Sequence, residues 1–193
     1  EEMGYDIKLL AIAELIESGG RSGVSVRVHP TLVPRTHPLA GVRDAFNAVF
    51  IEADAAGQVM FYGRGAGGEP TASAVLGDIV TAARNRVAGS TGPRDSSYAA
   101  LPVLPLGAAT TAYLVHLRVV DRPGVLATVA GMFAERGASI RSLTQKGEGD
   151  QAELLILTHP GREADLAATV AELRQCDAVT EVVGLMRVIG GAQ

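Results

Sequence analysis

Two short stretches of this 193-residue chain carry residue types whose spacing could do chemistry. The first is Gly63-Arg64-Gly65-Ala66-Gly67-Gly68, a formal match to the G-x-G-x-x-G of dinucleotide folds, standing between a strand-like and a helix-like stretch. Such a motif works by opening a βαβ unit whose second strand ends in an acidic ribose ligand. Here the helical stretch runs into Gly89-Ser90-Thr91-Gly92-Pro93 and no such strand follows, so a self-contained nucleotide site is not expected. Two readings stay open: a tight turn that needs positive φ, or a loop that lets backbone approach a ligand held mainly by another domain.

The second stretch is Asp121-Arg122-Pro123-Gly124-Val125-Leu126, between an alternating strand pattern and an amphipathic helix. A helix N-terminus presents unpaired N–H groups and the positive end of a dipole, which favour a carboxylate. Gly124 admits a ligand closely and Asp121 can accept a hydrogen bond from an ammonium group, so the stretch matches the two ends of an amino-acid zwitterion. The plainer reading is that Asp121 caps the helix and Pro123 starts it.

Other reactive residues form no constellation. His29, His37, His116 and His159 lack metal-ligand spacing, and no metal site is expected. No Gly-x-Ser-x-Gly elbow surrounds Ser25 or Ser73, which leaves a hydrolase triad unsupported. Lys8, one of only two lysines, reads as a solvated side chain at an element's edge. The single cysteine, Cys176, can build neither an internal disulfide nor a thiolate zinc site, and reads as a small packing residue.

Composition narrows the classes further. With 47% hydrophobic and 20% charged residues the chain can build a core. The formal net charge of −4 comes with no basic block, so nucleic acid is not an expected partner. No apolar run approaches the roughly 18 residues of a membrane span, and no secretory signal opens the chain; the expected location is cytoplasmic. Residue 1 is Glu, so processing or a longer parent chain is expected.

The elements that must position these stretches fall into two groups. Residues 25–33, 46–52 and 58–62 alternate as strands, with Asp54-Ala55-Ala56-Gly57 suited to a hairpin, and Val24, Val26 and Val28 share one side. Residues 70–87 have a helical pattern built on Ala72, Val75, Leu76, Ile79, Val80 and Ala83. Residues 7–16 fit either a helix or a buried strand. Residues 93–111 read as a linker, its apolar Leu101, Val103, Leu104 and Leu106 packing partly on a surface. From residue 112 the order is βαββαβ: strand 113–120, helix 123–136, strands 139–145 and 152–158 about Gly147-Glu148-Gly149-Asp150, helix 163–175 and strand 179–188. That order makes a four-stranded antiparallel sheet with both helices on one face.

Val28-His29-Pro30, Val33-Pro34, His37-Pro38-Leu39-Ala40, Phe46-Asn47-Ala48-Val49, Tyr62-Gly63-Arg64-Gly65-Ala66-Gly67, Pro70-Thr71-Ala72-Ser73-Ala74-Val75 and Asp78 resemble, in order and spacing, the later part of homoserine dehydrogenase. Asp121-Arg122-Pro123-Gly124-Val125-Leu126 within βαββαβ resembles an ACT domain, the amino-acid-sensing module appended to bacterial members. The resemblance implies an α+β fold: residues 1–92 as part of an antiparallel-sheet substrate and dimerisation domain, 93–111 as linker, and 112–190 as a ferredoxin-like ACT domain. It also implies that residues 7–16 are a strand. The implied parent is an NAD- or NADP-dependent oxidoreductase interconverting homoserine and aspartate semialdehyde, with its catalytic residues expected upstream of Glu1 and none in this chain. On this reading Gly65, Ala66, Gly67 and Thr71 lie beside the nicotinamide. The effector is expected to be threonine, held by residues 121–126 with Ser139 and Ile140 of a neighbouring unit, in a homo-oligomer expected to be a dimer. The competing reading is a non-catalytic amino-acid-binding and dimerisation module.

Overall fold

In the computed structural model, residues 4–92, 99–147 and 150–189 are described. Their order is β1 (Tyr5–Ser18), β2 (Arg21–Pro34), β3 (Phe46–Ala53), β4 (Gly57–Arg64), α1 (Gly68–Val87), β5 (Thr110–Val120), α2 (Val125–Glu135), β6 (Ile140–Lys146), β7 (Gln151–Thr158), β8 (Gly161–Arg162), α3 (Glu163–Leu173) and β9 (Val179–Val188). This is the expected α+β class. Two compact units form, Glu1–Pro34 with Leu101–Gln193, and Arg35–Ala100. They cut across the sequence modules, because the first hairpin packs with the C-terminal βαββαβ.

In the first unit the strands lie in the order β1-β2-β9-β5-β7-β6, with β8 added against β5. Residues 7–16 form strand rather than helix, as the resemblance implies: Gly19 and Gly20, at φ 59° and 73°, supply the two positive angles of a two-residue hairpin turn and pair β1 with β2 over their full lengths. The valine alternation of β2 holds, but its direction is the reverse of a core strand. Val26 and Val28 are exposed, whereas Ser25 and Thr31 are buried. The linker pairs along the edge of β2. Val24 N donates to Pro102 O and Leu104 N to Val24 O, both at 2.9 Å, and a Cβ on Gly23 would meet Leu104 Cγ at 2.5 Å. Leu104 thus packs as expected of the linker, while Leu101, Val103 and Leu106 remain exposed; residues 93–98 of that stretch lie outside the described residues.

The C-terminal four strands are antiparallel neighbours throughout, in the order β9-β5-β7-β6. Alternate residues of β5, Tyr113, Val115, Leu117 and Val119, are buried against Val125, Val129 and Phe133 of α2 and Leu166, Val170 and Leu173 of α3. Both helices therefore cover one face. The other face carries a charged ladder, Arg118 pairing with Glu181 and Glu153, and His116 with Glu153 at 3.3 Å. Glu148 and Gly149 of the expected β6–β7 turn lie outside the described residues.

A polar cluster joins β5, α3 and β9 where β9 meets the first hairpin. Arg187 of β9 is the register partner of Thr31 on one side and Tyr113 on the other. Its guanidinium lies 5.4 Å from the Tyr113 ring centroid and donates through Nε to Glu163 Oε1 at 2.9 Å, and through its terminal nitrogen to the same oxygen. The Tyr113 hydroxyl also donates to Glu163 Oε1. Glu163 is only 4% exposed. Burial alone would raise its carboxyl, but the bonds from Arg187 and Tyr113 and the Arg187 charge outweigh burial and hold it below its ordinary range. Burial raises the Tyr113 hydroxyl, and the Glu163 bond adds to that. Nearby His29 is lowered, by burial first, with the Arg187 and Arg27 charges in the same direction.

In the second unit β3 and β4 form a two-stranded antiparallel hairpin, a sheet of their own rather than a continuation of β1–β2. Gly57, at φ 65°, closes its turn. Helix α1 spans the expected residues, yet Val75, Leu76, Ile79 and Val80 are all exposed.

Two predictions follow from this burial. Phe133→Ala empties a site that is 1% exposed and should cost about 3–5 kcal/mol in urea unfolding, whereas Leu76→Ala on α1, where the side chain already meets water, should stay within about 0.5 kcal/mol. Acid should loosen the junction: groups whose folded pKa is lowered stabilise fully above their unfolded pKa and lose that contribution as pH falls through the folded one. Melting temperature should therefore decline below His29's ordinary 6.5 and further below Glu163's ordinary 4.5, and Glu163→Gln should flatten the lower limb. A flat wild-type profile over that range would contradict this assignment.

Candidate functional site: a cavity at the β5–α2 turn

The chain leaves β5 at Val120 and enters α2 at Val125, and the residues between build a cavity of about 330 Å³. That is the small end of ligand cavities, roughly 300–1,000 Å³. Its lining joins the six residues 121–126 to Val119, Val120, Gln145 and Leu154. All six sequence-predicted residues thus share one concavity. Ser139 and Ile140 are not among its lining residues; Ile140 is paired with Thr158, at the end of β6 opposite Gln145 and Lys146.

The turn shows that Asp121 does not cap α2. The residue that caps α2 is Gly124, in the left-handed region at φ 92°, and no side chain caps the helix. Pro123 therefore precedes the cap instead of opening the helix. Val125 N donates to Arg122 O at 3.3 Å, and the first full helical bond is Thr128 N to Gly124 O at 2.9 Å. The amides of Leu126 and Ala127 have no helical carbonyl to bond. Asp121 is held by its backbone, donating to Asp150 O at 3.0 Å, and its carboxylate is left for other duty. Its Oδ1 accepts from Gln145 Nε2 at 3.4 Å.

Gln145 is the site residue that sequence reasoning missed. It lies 24 positions away, and only the pairing of β6 with β7, Gln145 opposite Leu154, carries it to the mouth of the turn. With its amide nitrogen turned to Asp121, its carbonyl oxygen is a second acceptor beside the carboxylate. The cavity lining thus combines two acceptors with the start of α2, where first-turn amides lack helical partners.

The glycine stretch has a different setting. Gly63 lies within β4, Gly65 N donates to Ala45 O at 3.0 Å, Gly67 caps α1 at φ 128°, and Thr71 N donates to Gly67 O at 3.1 Å. The preceding strands are antiparallel, so this is no βαβ fingerprint. A Cβ on Gly65 would lie 1.6 Å from the Asn47 amide nitrogen, while nothing stands within 4 Å of one on Gly63 or Gly68. Among the described residues, no three His, Cys, Asp or Glu side chains gather as a metal site, and no helix is long and apolar enough to cross a membrane.

The profile of the homoserine dehydrogenase family matches residues 1–80, and that of the ACT domain residues 113–178. Homoserine dehydrogenase of Corynebacterium glutamicum is 50% identical over 188 residues, covering 97% of this chain and 42% of that protein. This chain belongs to the C-terminal region of the homoserine dehydrogenases and carries an ACT domain. The Mycobacterium tuberculosis homoserine dehydrogenase is 51% identical, with 97% of this chain and 44% of that protein covered. A crystal structure of homoserine dehydrogenase from Thiobacillus denitrificans superposes with a TM-score of 0.87 at 38% identity, over 99% of this chain and 44% of that one. The Staphylococcus aureus enzyme at pH 7.5 gives 0.59 at 25%, over 98% and 43%. The chain thus spans less than half the length of these relatives.

The geometry of the turn predicts opposite signs for two glycines. Gly124→Ala forces a Cβ into the left-handed region and should cost about 1–2 kcal/mol. Gly131→Ala, inside α2 with nothing within 4 Å of the new Cβ, should gain about 0.5–1 kcal/mol. Chemical denaturation of both variants checks the pair.

Proposed function

We propose that this chain is the regulatory and substrate-side portion of an NAD- or NADP-dependent homoserine dehydrogenase, and that its ACT module binds a small amino acid, threonine, at the Asp121 cavity. The observation that carries the effector site is the Gly124 cap: it frees the Asp121 carboxylate, beside Gln145, in a cavity that the start of α2 also lines. Those amides suit the ligand's carboxylate, and Asp121 with the Gln145 carbonyl suits its ammonium group. Threonine rests on the family's place in amino-acid biosynthesis, whereas a zwitterion site rests on these residues. Ser139 and Ile140 belong to the reading only as contributions from a neighbouring copy.

Assembly as a homo-oligomer, a dimer, is supported by the outward apolar face of the first hairpin, with Ile7, Leu9, Leu15, Val26 and Val28 exposed, and by β6 as an unpaired sheet edge. The reaction proposed for the intact enzyme is hydride transfer between the homoserine carbinol carbon and a nicotinamide, with loss of the hydroxyl proton. The nicotinamide supplies the hydride acceptor. Gly65, Ala66, Gly67 and Thr71 would line the nicotinamide, as the resemblance implies, in a turn where a side chain on Gly65 would run into Asn47. The cavity forms within one copy, which is compatible with a second reading in which the chain is an amino-acid-binding and dimerisation module.

Calorimetry of the chain with threonine should give saturable heat, and Asp121→Ala should weaken binding about tenfold or more through loss of a charge-assisted bond. Absence of heat with threonine, isoleucine, methionine and lysine alike, or threonine binding untouched by Asp121→Ala, would overturn the site. In the intact enzyme Gly67→Val, imposing a branched side chain at φ 128°, should lower turnover strongly while the ACT module stays folded by circular dichroism. Normal kinetics would reduce the glycine stretch to a turn.

A further inference from the structure

The Tyr113–Glu163–Arg187 cluster, which joins β5, α3 and β9 beside the first hairpin, belongs neither to the cavity nor to the glycine turn. Backbone pairing between β2 and β9 covers only Thr31 with Arg187 and Leu32 with Val188, extended by one bond from Ile189 N to Leu32 O at 3.0 Å. The hairpin is further attached by the bonds of Val24 to Pro102 and Leu104 and by packing of Leu32 with Ala112, Leu157 and Val188. The side chains sit directly over that seam. Arg187 lies between Thr31 and Tyr113 in the sheet, and Glu163, at the start of α3, accepts from both Arg187 and Tyr113 through one oxygen. A carboxylate so buried is tolerable only while its partners stay in place, so small displacements of Tyr113 or Arg187 are resisted steeply.

The cluster also has unused bonding capacity. Glu163 Oε2 and His29 Nε2 are buried without a hydrogen-bond partner, while His29 Nδ1 is within bonding distance of Thr31 Oγ1 at 2.9 Å and Pro30 O at 3.2 Å. Thr111, whose hydroxyl also helps to lower the Glu163 carboxyl, borders the same cluster. Tyr113 stands near one end of β5, and Val119 and Val120 at the other end line the amino-acid cavity. Between them the pairing of β5 with β9 slips twice, at His116/Leu117 and at Arg118/Val119, so this strand can take up a shift without unpairing.

We propose that the Tyr113–Glu163–Arg187 cluster is a joint through which the state of the cavity at the end of β5 is felt by the first hairpin, and the reverse. The ligand-dependent half of this proposal rests on the effector reading above; the coupling of the two ends does not. A ligand that draws in Asp121 and Val120 moves β5, β5 carries the Tyr113 hydroxyl relative to Glu163, and Glu163 fixes Arg187, whose backbone is paired with Thr31 of β2. The hairpin so addressed carries the exposed apolar face described above.

Residue-resolved amide hydrogen exchange on the 193-residue chain tests this, using wild type, Glu163→Gln and the milder Tyr113→Phe, each with and without threonine. Without ligand, both variants should exchange about tenfold faster at Ile189, which reports the seam, and also at Asp121 and Thr128, which report the cavity. Amides pairing β6 with β7 should be unchanged. Acceleration confined to the seam, or equal acceleration in β6 and β7, overturns the joint. Should Glu163→Gln fail to fold, Tyr113→Phe decides by the same criteria. With threonine, wild type should slow at Ile189 as well as at Thr128, and Glu163→Gln only at Thr128. Threonine slowing Thr128 but not Ile189 in wild type overturns the joint. Threonine slowing neither, while both variants still accelerate both ends, overturns the effector reading and upholds the joint.

Discussion

Every second side chain of β5 from Tyr113 to Val119 is withdrawn from water, and most of the first unit is arranged around that burial. The strand is flanked on both sides, by β9 and by β7, so its backbone groups are paired within the sheet. Its inner face can be covered only by α2 and α3, which places both helices on the same side. That choice sets where the strand must turn into α2, and so where the Asp121 cavity opens. It also carries Tyr113, large and bearing a hydroxyl, to the buried end of α3, where the hydroxyl needs a partner and finds Glu163.

The distribution of polarity is uneven in an informative way. Charged and hydroxyl side chains occupy the interior where the first hairpin meets the module: Ser25, Thr31 and Glu163 are buried, and the nearly buried Arg27 side chain pairs with Glu14 at 2.8 Å. Apolar side chains meanwhile face water on β1, β2 and α1. A buried ionic contact specifies geometry strongly while adding little net stability, because desolvation offsets much of the attraction. An exposed apolar face does the opposite, leaving favourable burial unrealised until another surface covers it. The hairpin therefore couples precise internal attachment to an outward face suited to association.

At the cavity, one glycine decides which polar groups α2 leaves uncapped. Had Asp121 served as the helix cap, its carboxylate would have been consumed by α2's own amides. Gly124 takes that position through a positive φ, which leaves both the acidic side chain and the first-turn amides unspent. Gln145 then orients the carboxylate from across the sheet. The site is thus assembled from a local turn and one distant strand.

How much of this was legible in the sequence depended on the range of the interaction. The βαββαβ order, the β3–β4 hairpin about Gly57 and the 121–126 cluster were readable, because periodicity and turn chemistry act over a few residues. The strand character of residues 7–16 was not decidable from spacing, since Leu9, Ile12, Leu15 and Ile16 satisfy a helix equally well; the Gly19-Gly20 turn and a full-length partner settle it. Local pattern likewise shows that Val24, Val26 and Val28 share a face but not which way that face points, and it places Asp121 at a helix start without showing that Gly124 is the cap. Tertiary structure alone brought Gln145 to Asp121, and Thr31 and Tyr113 to either side of Arg187 with Glu163 against it. The reason is physical: burial and ionic pairing act between residues that only sheet register makes neighbours, and register is a property of the whole fold.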